Sequence, residues 1–229
     1  MFKAVIFDLD DTLYSEWSFI RQGFCAVARK LHTDYSTLRS KHSLNDIYNA
    51  LEDIFFNKSR LRIFNYLSEY FDDIQLNENY IVKELVPIYR FSDKTLTCFS
   101  DVKSTLSQLQ GNNKIGIVTN GNVRVQNNKI DLLGIRKYVD AIEISGDYPG
   151  ECAKPSTFML EKMMKTFNVS PNESIYVGDN PLTDFSAIEF GCKFFRIVRK
   201  GGLYNDLSYD HCEYQRINNL VGLLTYIRN

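Results

Sequence analysis

The sequence predicts an α/β fold, a parallel sheet flanked by helices, with an all-helical segment inserted after the first strand. Three observations predict it. Short apolar, β-rich runs recur with polar or glycine-containing ends: KAVIFDLD, KIGIVTNG, DAIEIS, ESIYVGD and KFFRIV. Helix-like segments over 101–110, 123–133, 156–167 and 184–190 lie between them, an alternation that covers both faces of a parallel sheet. Residues 14–90 break that rhythm and contain no convincing strand.

Taken in order, the first run, KAVIF, is continuously apolar rather than alternating, as a strand buried on both faces should be. After it, Ile20, Phe24, Val27, Ala28 and Leu31 fall at helical spacing. The stretches LNDIYNALEDIF, SRLRIFNYLSEYF and NYIVKELVPIY read as further helices, and the sheet resumes near Leu96. The division expected is a core of residues 1–13 and 91–229 with a helical insertion over 14–90.

Composition narrows the function classes. A formal net charge of −1 over 229 residues supplies no electrostatic reason for a nucleic-acid or membrane partner. No apolar run is long enough to span a bilayer, and the start lacks the charged and apolar regions of a secretory signal, so a cytoplasmic location is expected. The cysteines (Cys25, Cys98, Cys152, Cys192 and Cys212) are scattered and odd in number, which argues against a disulfide framework and a structural zinc site. None of the histidines (His32, His42, His211) is near the acidic motif in sequence, which disfavours histidine-centred catalysis.

That motif, FDLDDTLYS, sets Asp8, Asp10 and Asp11 within four positions directly after the strand meant for burial. An unpaired carboxylate taken out of water is costly, so a cation sits there, or the carboxylates do chemistry. In an open parallel sheet, ligands bind beyond the carboxyl ends of the strands. Three more polar clusters fall at such ends: Thr119, Asn120 and Gly121 in VTNG, Lys154 in GECAKPS, and Asp179 and Asp184 in VGDNPLTD. Carboxylates, one ammonium, a hydroxyl and an amide suit Mg²⁺ completed by water and a substrate phosphate, and phosphoryl transfer needs mainly that positioning and charge stabilisation.

DLDDT, VTNG, AKP and VGDNPLTD, in this order, resemble the four motifs of the haloacid dehalogenase superfamily of hydrolases. The insertion is similar in position and helical character to the cap domain of its first subfamily. The resemblance implies a Rossmann-like core and a Mg²⁺-dependent phosphatase. Asp8 would be the nucleophile that becomes phosphorylated. Asp10 would protonate the leaving oxygen and then activate water, in surroundings that favour its neutral form in the first step. Asp8, the backbone carbonyl of Asp10, and Asp179 would hold the metal, with Asp184 an outer ligand or an orienting group. Thr119 and Asn120 would bind the phosphoryl group, and Lys154 would offset the charge of Asp8 and phosphate. The family's halide-displacing members lack the second aspartate, which points this chain to phosphate esters. The expected substrate is a small phosphorylated metabolite, a sugar phosphate or a nucleoside monophosphate, turned over by a monomer or weak dimer.

Each motif also has a plainer reading. Asp-rich turns cap helices, Asn-Gly favours tight turns, and Asp179 and Asp184 suit the cap of a helix beginning near Pro181. RKGG at 199–202 reads as a plain turn or a phosphate-friendly loop. Two rival functions keep the same fold: a phosphosugar mutase, and a catalytically idle binding or regulatory module.

Overall fold

The computed structural model describes residues 2–72, 74–208 and 214–228; His211 and Cys212 lie outside the described residues. The chain forms two compact units, one of Met1–Trp17 with Thr95–Asn229 and one of Ser18–Lys94.

Strand β1 (Ala4–Phe7) is completely buried along its length. The long helix α1 (Glu16–Asp34) follows and leads into α2 (Ser36–Lys41) and α3 (Leu44–Asn57). Ser43 and Asp46 close a capping box at the start of α3, each side chain taking the other's backbone N–H. The segment SRLRIFNYLSEYF is a 3₁₀ helix at Ile63–Glu69 rather than an α-helix. NYIVKELVPIY runs as α4 (Glu78–Tyr80), a π turn (Ile81–Leu85) and α5 (Val86–Phe91). Within this helical unit Phe24 packs against Tyr48, Phe55 and Tyr89 with ring centroids 5.9–6.5 Å apart. Its aromatics therefore build its own core.

The other unit resumes with α6 (Val102–Leu109), β2 (Lys114–Thr119), α7 (Val123–Leu133) and β3 (Ala141–Ile144). It continues with α8 (Phe158–Phe167), β4 (Ser174–Gly178), α9 (Ser186–Glu189), β5 (Lys193–Ile197), β6 (Gln215–Ile217) and α10 (Val221–Arg228). All strand pairs are parallel, in the order β3-β2-β1-β4-β5-β6. This is the Rossmann-like α/β architecture. Strand β6, too short and polar to show an apolar run, is an addition to the predicted set.

On one face of the sheet Ala4, Ile6, Val118, Tyr176 and Phe194 pack against Met159, Leu160, Met163 and Phe167 of α8. Gly116 permits that approach, because a Cβ there would lie 2.8 Å from the Met163 sulfur. The helix expected from Asp184 begins two residues later, at Ser186. Asp184 is not its cap: its carboxylate accepts the backbone N–H of Asn180 at 3.0 Å.

Candidate active site

The register of the sheet builds the site. Phe7 pairs with Ile117 on one side and Val177 on the other. Asp8, one residue further along, and Thr119 and Asp179, each two residues further along, therefore emerge together where the strand order reverses, the usual crevice of such sheets. The Asp8 N–H donates to the Val177 carbonyl at 2.8 Å, extending the ladder to the nucleophile candidate itself.

Lys154 enters from the loop after β3. Its buried Nζ donates to Asp8 Oδ1 at 2.5 Å, to Asp184 Oδ1 at 2.7 Å and to the Tyr176 hydroxyl oxygen at 2.9 Å. All three ammonium hydrogens have partners, so this lysine is no surface residue. Asn120 holds the loop that carries it: the Lys154 N–H donates to Asn120 Oδ1 at 2.7 Å, and Asn120 Nδ2 donates to the Lys154 carbonyl at 2.9 Å. The Asn120 side chain is thus spent on placing Lys154. A cavity of about 230 Å³ opens over Asp8, Asp10, Thr119, Lys154 and Asp179, with Glu16, Asn120, Asn180, Thr183 and Tyr204 completing its wall.

Burial pushes the Asp8 carboxyl up to about 7, with the charges of Asp184 and Asp10 adding to the rise and Lys154 opposing it. Asp179 is raised well above the usual carboxylate range by burial and by Asp8 and Asp184. For Lys154, burial opposes the charge, but Asp184 and Asp8 outweigh it and hold the ammonium protonated. Oxygens of Asp8, Asp179 and Asp184 lie within 4.8 Å of one another, all three residues buried. Among these three acids Lys154 is the cation within hydrogen-bond reach, so negative charge is left over. A hard, oxygen-seeking divalent cation fits that donor set. Asp184 already accepts from Lys154, Tyr176 and Asn180, which suits an orienting group, whereas Asp8 and Asp179 are placed to ligate.

Asp10 is held by three side-chain donors. Its Oδ1 accepts from Lys129 Nζ at 2.7 Å and from the Tyr14 hydroxyl, and its Oδ2 accepts from Gln126 Nε2 at 2.9 Å. Burial by itself would raise its pKa, but the charge of Lys129 and these hydrogen bonds outweigh burial and lower it. These surroundings favour the carboxylate because of a lysine on α7 that sequence reasoning missed; the neutral form expected from the sequence belongs to the step that protonates the leaving oxygen.

A signal for it was present. Gln126, Lys129, Ile130 and Leu133 occupy the i, i+3, i+4, i+7 stripe of α7, so two polar residues hold places that packing alone would make apolar. Glu16, at the start of α1, was missed as well, and burial with the charge of Asp10 pushes its carboxyl to about 8. Asp11 has a positional role. In left-handed backbone (φ 51°), its carboxylate accepts the N–H groups of Glu16 and Leu203, both at 2.8 Å. RKGG is the turn expected of it, closed by the Gly202 N–H donating to the Arg199 carbonyl at 3.0 Å, but its arginine has a further task. Arg199 is buried, donates twice to the Asp101 carboxylate at 2.9 and 3.0 Å, and donates to the Thr12 carbonyl at 3.0 Å. It anchors the acidic loop from behind.

Comparison with known proteins agrees with this geometry. The family of haloacid dehalogenase-like hydrolases matches residues 5–197. A glyceraldehyde 3-phosphate phosphatase of Methanocaldococcus jannaschii is 24% identical across 100% of this chain and 98% of its own. The human N-acylneuraminate-9-phosphatase is 24% identical across 87% of this chain and 84% of its own. The crystal structure of a HAD phosphatase from Thermococcus onnurineus superposes with a TM-score of 0.66 at 25% identity, over 98% of this chain and 97% of that one. With its four motifs gathered at the strand ends of this sheet, the chain belongs to the haloacid dehalogenase-like hydrolases.

Proposed function

We propose that this protein is a phosphomonoesterase acting through an aspartyl-phosphate on Asp8. The observation that carries the reading is the buried Asp8–Lys154–Asp184 array, 2.5 and 2.7 Å between partners, facing Thr119 and Asp179. A nucleophile, a cation for developing charge and a hydroxyl for phosphate oxygens stand together in one crevice.

In the first half-reaction an Asp8 oxygen attacks phosphorus, the bond to the leaving oxygen breaks, and Asp10 supplies that oxygen's proton. In the second, Asp10 takes a proton from water as the water attacks the same phosphorus and frees Asp8. Asp10 stands ready as the base. A phosphate dianion arriving at neighbouring Thr119 raises its proton affinity by charge repulsion, the direction the first half-reaction needs. Asp8 and Asp179, with the Asp10 backbone, would hold Mg²⁺, which would supply Lewis-acid offset of phosphoryl charge. Lys154 balances Asp8 throughout.

Two relatives that differ from each other support a substrate class. Glyceraldehyde 3-phosphate and N-acylneuraminate 9-phosphate both carry phosphate on the terminal carbon of a hydroxylated chain. We place the substrate of this chain among such terminal sugar phosphates, ahead of nucleoside monophosphates. The test is phosphate release from a panel of both classes, with and without Mg²⁺, for wild type and Asp8→Asn. Metal-dependent release from terminal sugar phosphates, absent in the variant, is expected. Release that survives Asp8→Asn would overturn the mechanism.

A further inference from the structure

Helix α7 begins four residues after Thr119 and turns one polar pair inward. Gln126 and Lys129, one turn apart, are 2% and 5% exposed. Burying an amide and an ammonium is costly unless their hydrogens find partners. Here the partners are functional groups rather than structural carbonyls. Gln126 Nε2 donates to Asp10 Oδ2 at 2.9 Å and to Thr119 Oγ1 at 2.6 Å, so its two hydrogens tie the acid–base carboxylate to the phosphate-binding hydroxyl. Lys129 Nζ donates to the other Asp10 oxygen at 2.7 Å, across which the Tyr14 hydroxyl also reaches.

We propose that Gln126 and Lys129 are positioning residues that fix the side-chain rotamer of Asp10 and hold it in register with Thr119. The inference rests on the phosphatase reading above. Thr119 sets where the phosphoryl oxygens lie, and Asp10 must meet the leaving oxygen of the same group. A single amide bonded to both fixes the distance between these tasks. Thr119 Oγ1 accepts from Gln126 and itself donates to the Asn120 carbonyl at 3.5 Å. Lys129 on the opposite oxygen stops the carboxylate from rotating about its terminal bond. The pair touches no reacting atom; its effect passes through Asp10.

The test separates positioning from general damage by leaving-group chemistry. Phenyl phosphate departs as a basic phenolate that needs its proton, whereas p-nitrophenyl phosphate departs without one. For both, kcat/KM reports only the steps up to release of the alcohol. Gln126→Leu and Lys129→Met are assayed on both esters with Mg²⁺, after circular dichroism and thermal unfolding establish that each is folded. Phenyl phosphate is expected to lose roughly tenfold or more in kcat/KM, and p-nitrophenyl phosphate only about twofold. Equal losses on the two esters, or none, would overturn the inference. Gln126→Leu decides the matter by itself if Lys129→Met, which strips a buried carboxylate of its cation, does not fold. A wild type that releases phosphate from neither ester nor from any member of the panel above would instead sink the phosphatase reading, and this inference with it.

Discussion

Asp8 carries the tension of the site. It is 7% exposed, paired to Lys154, and yet raised to about 7, because burial and two nearby carboxylates outweigh one lysine. Reactivity is held at the expense of stability, as at many catalytic centres. Asp8→Asn is therefore expected to abolish phosphate release and, with EDTA present at pH 8, to raise the melting temperature by about 2–4 °C or more. A lower melting temperature would mean that the Lys154 pair stabilises more than the crowding costs. The pH dependence has a definite sign. Asp8 rises from 3.8 to about 7 and Glu16 from 4.5 to about 8 on folding, so the folded chain binds more protons between these values. The stability of the metal-free protein is greatest below about pH 4 as far as these groups are concerned, and declines as pH rises to 8. Urea unfolding in EDTA at pH 5 and pH 8 should show the higher midpoint at pH 5.

Among the elements, the end of β4 does the most local work. Gly178 is its last residue, and the Asp184 carboxyl occupies the space where any Cβ would lie. The strand must end in glycine for Asp184 to fold back over it and meet Lys154 and Tyr176. Gly178→Ala is expected to cost about 1–3 kcal/mol of stability by overpacking. It should also reduce kcat more than Asp184→Asn does, since it displaces the whole Asp179–Asp184 turn. Chemical denaturation and steady-state kinetics on the two variants check both parts. At the start of the site, the acidic loop is braced by Arg199 and Asp101, whose carboxylate also accepts the Leu220 N–H at 2.6 Å. Elements distant in sequence thus hold the Asp8–Thr12 loop in place.

For the whole molecule, the strand order matters more than any one element. Residues 8, 119, 154 and 179 meet because β1 lies between β2 and β4. No helix among the described residues is long and apolar enough to cross a membrane. If the buried cluster of Asp8, Asp179 and Asp184 holds the proposed divalent cation, that cation binds the folded chain and not the unfolded one. Mg²⁺ at about a hundred times its dissociation constant then stabilises by about 2.7 kcal/mol. Thermal unfolding against Mg²⁺ concentration should rise and the rise should be lost in Asp179→Asn. A melting temperature indifferent to Mg²⁺ would count against the site as a metal centre.

By itself the sequence determined the sheet's five main strands, the helical insertion, the order of four polar clusters and the family they resemble. Those signals are local: an apolar run, a helical stripe, a polar residue at a strand end. What surrounds Asp10 was decided only by the tertiary structure, since Lys129 and Gln126 lie more than a hundred positions away and reach it through the pairing of β1 with β2. The helix beginning at Ser186, the 3₁₀ geometry at Ile63–Glu69 and the bracing by Arg199 were likewise settled by contacts rather than by spacing. Protonation is the clearest case. A carboxylate's charge state depends on every group within a few ångströms, and only folding determines which groups those are.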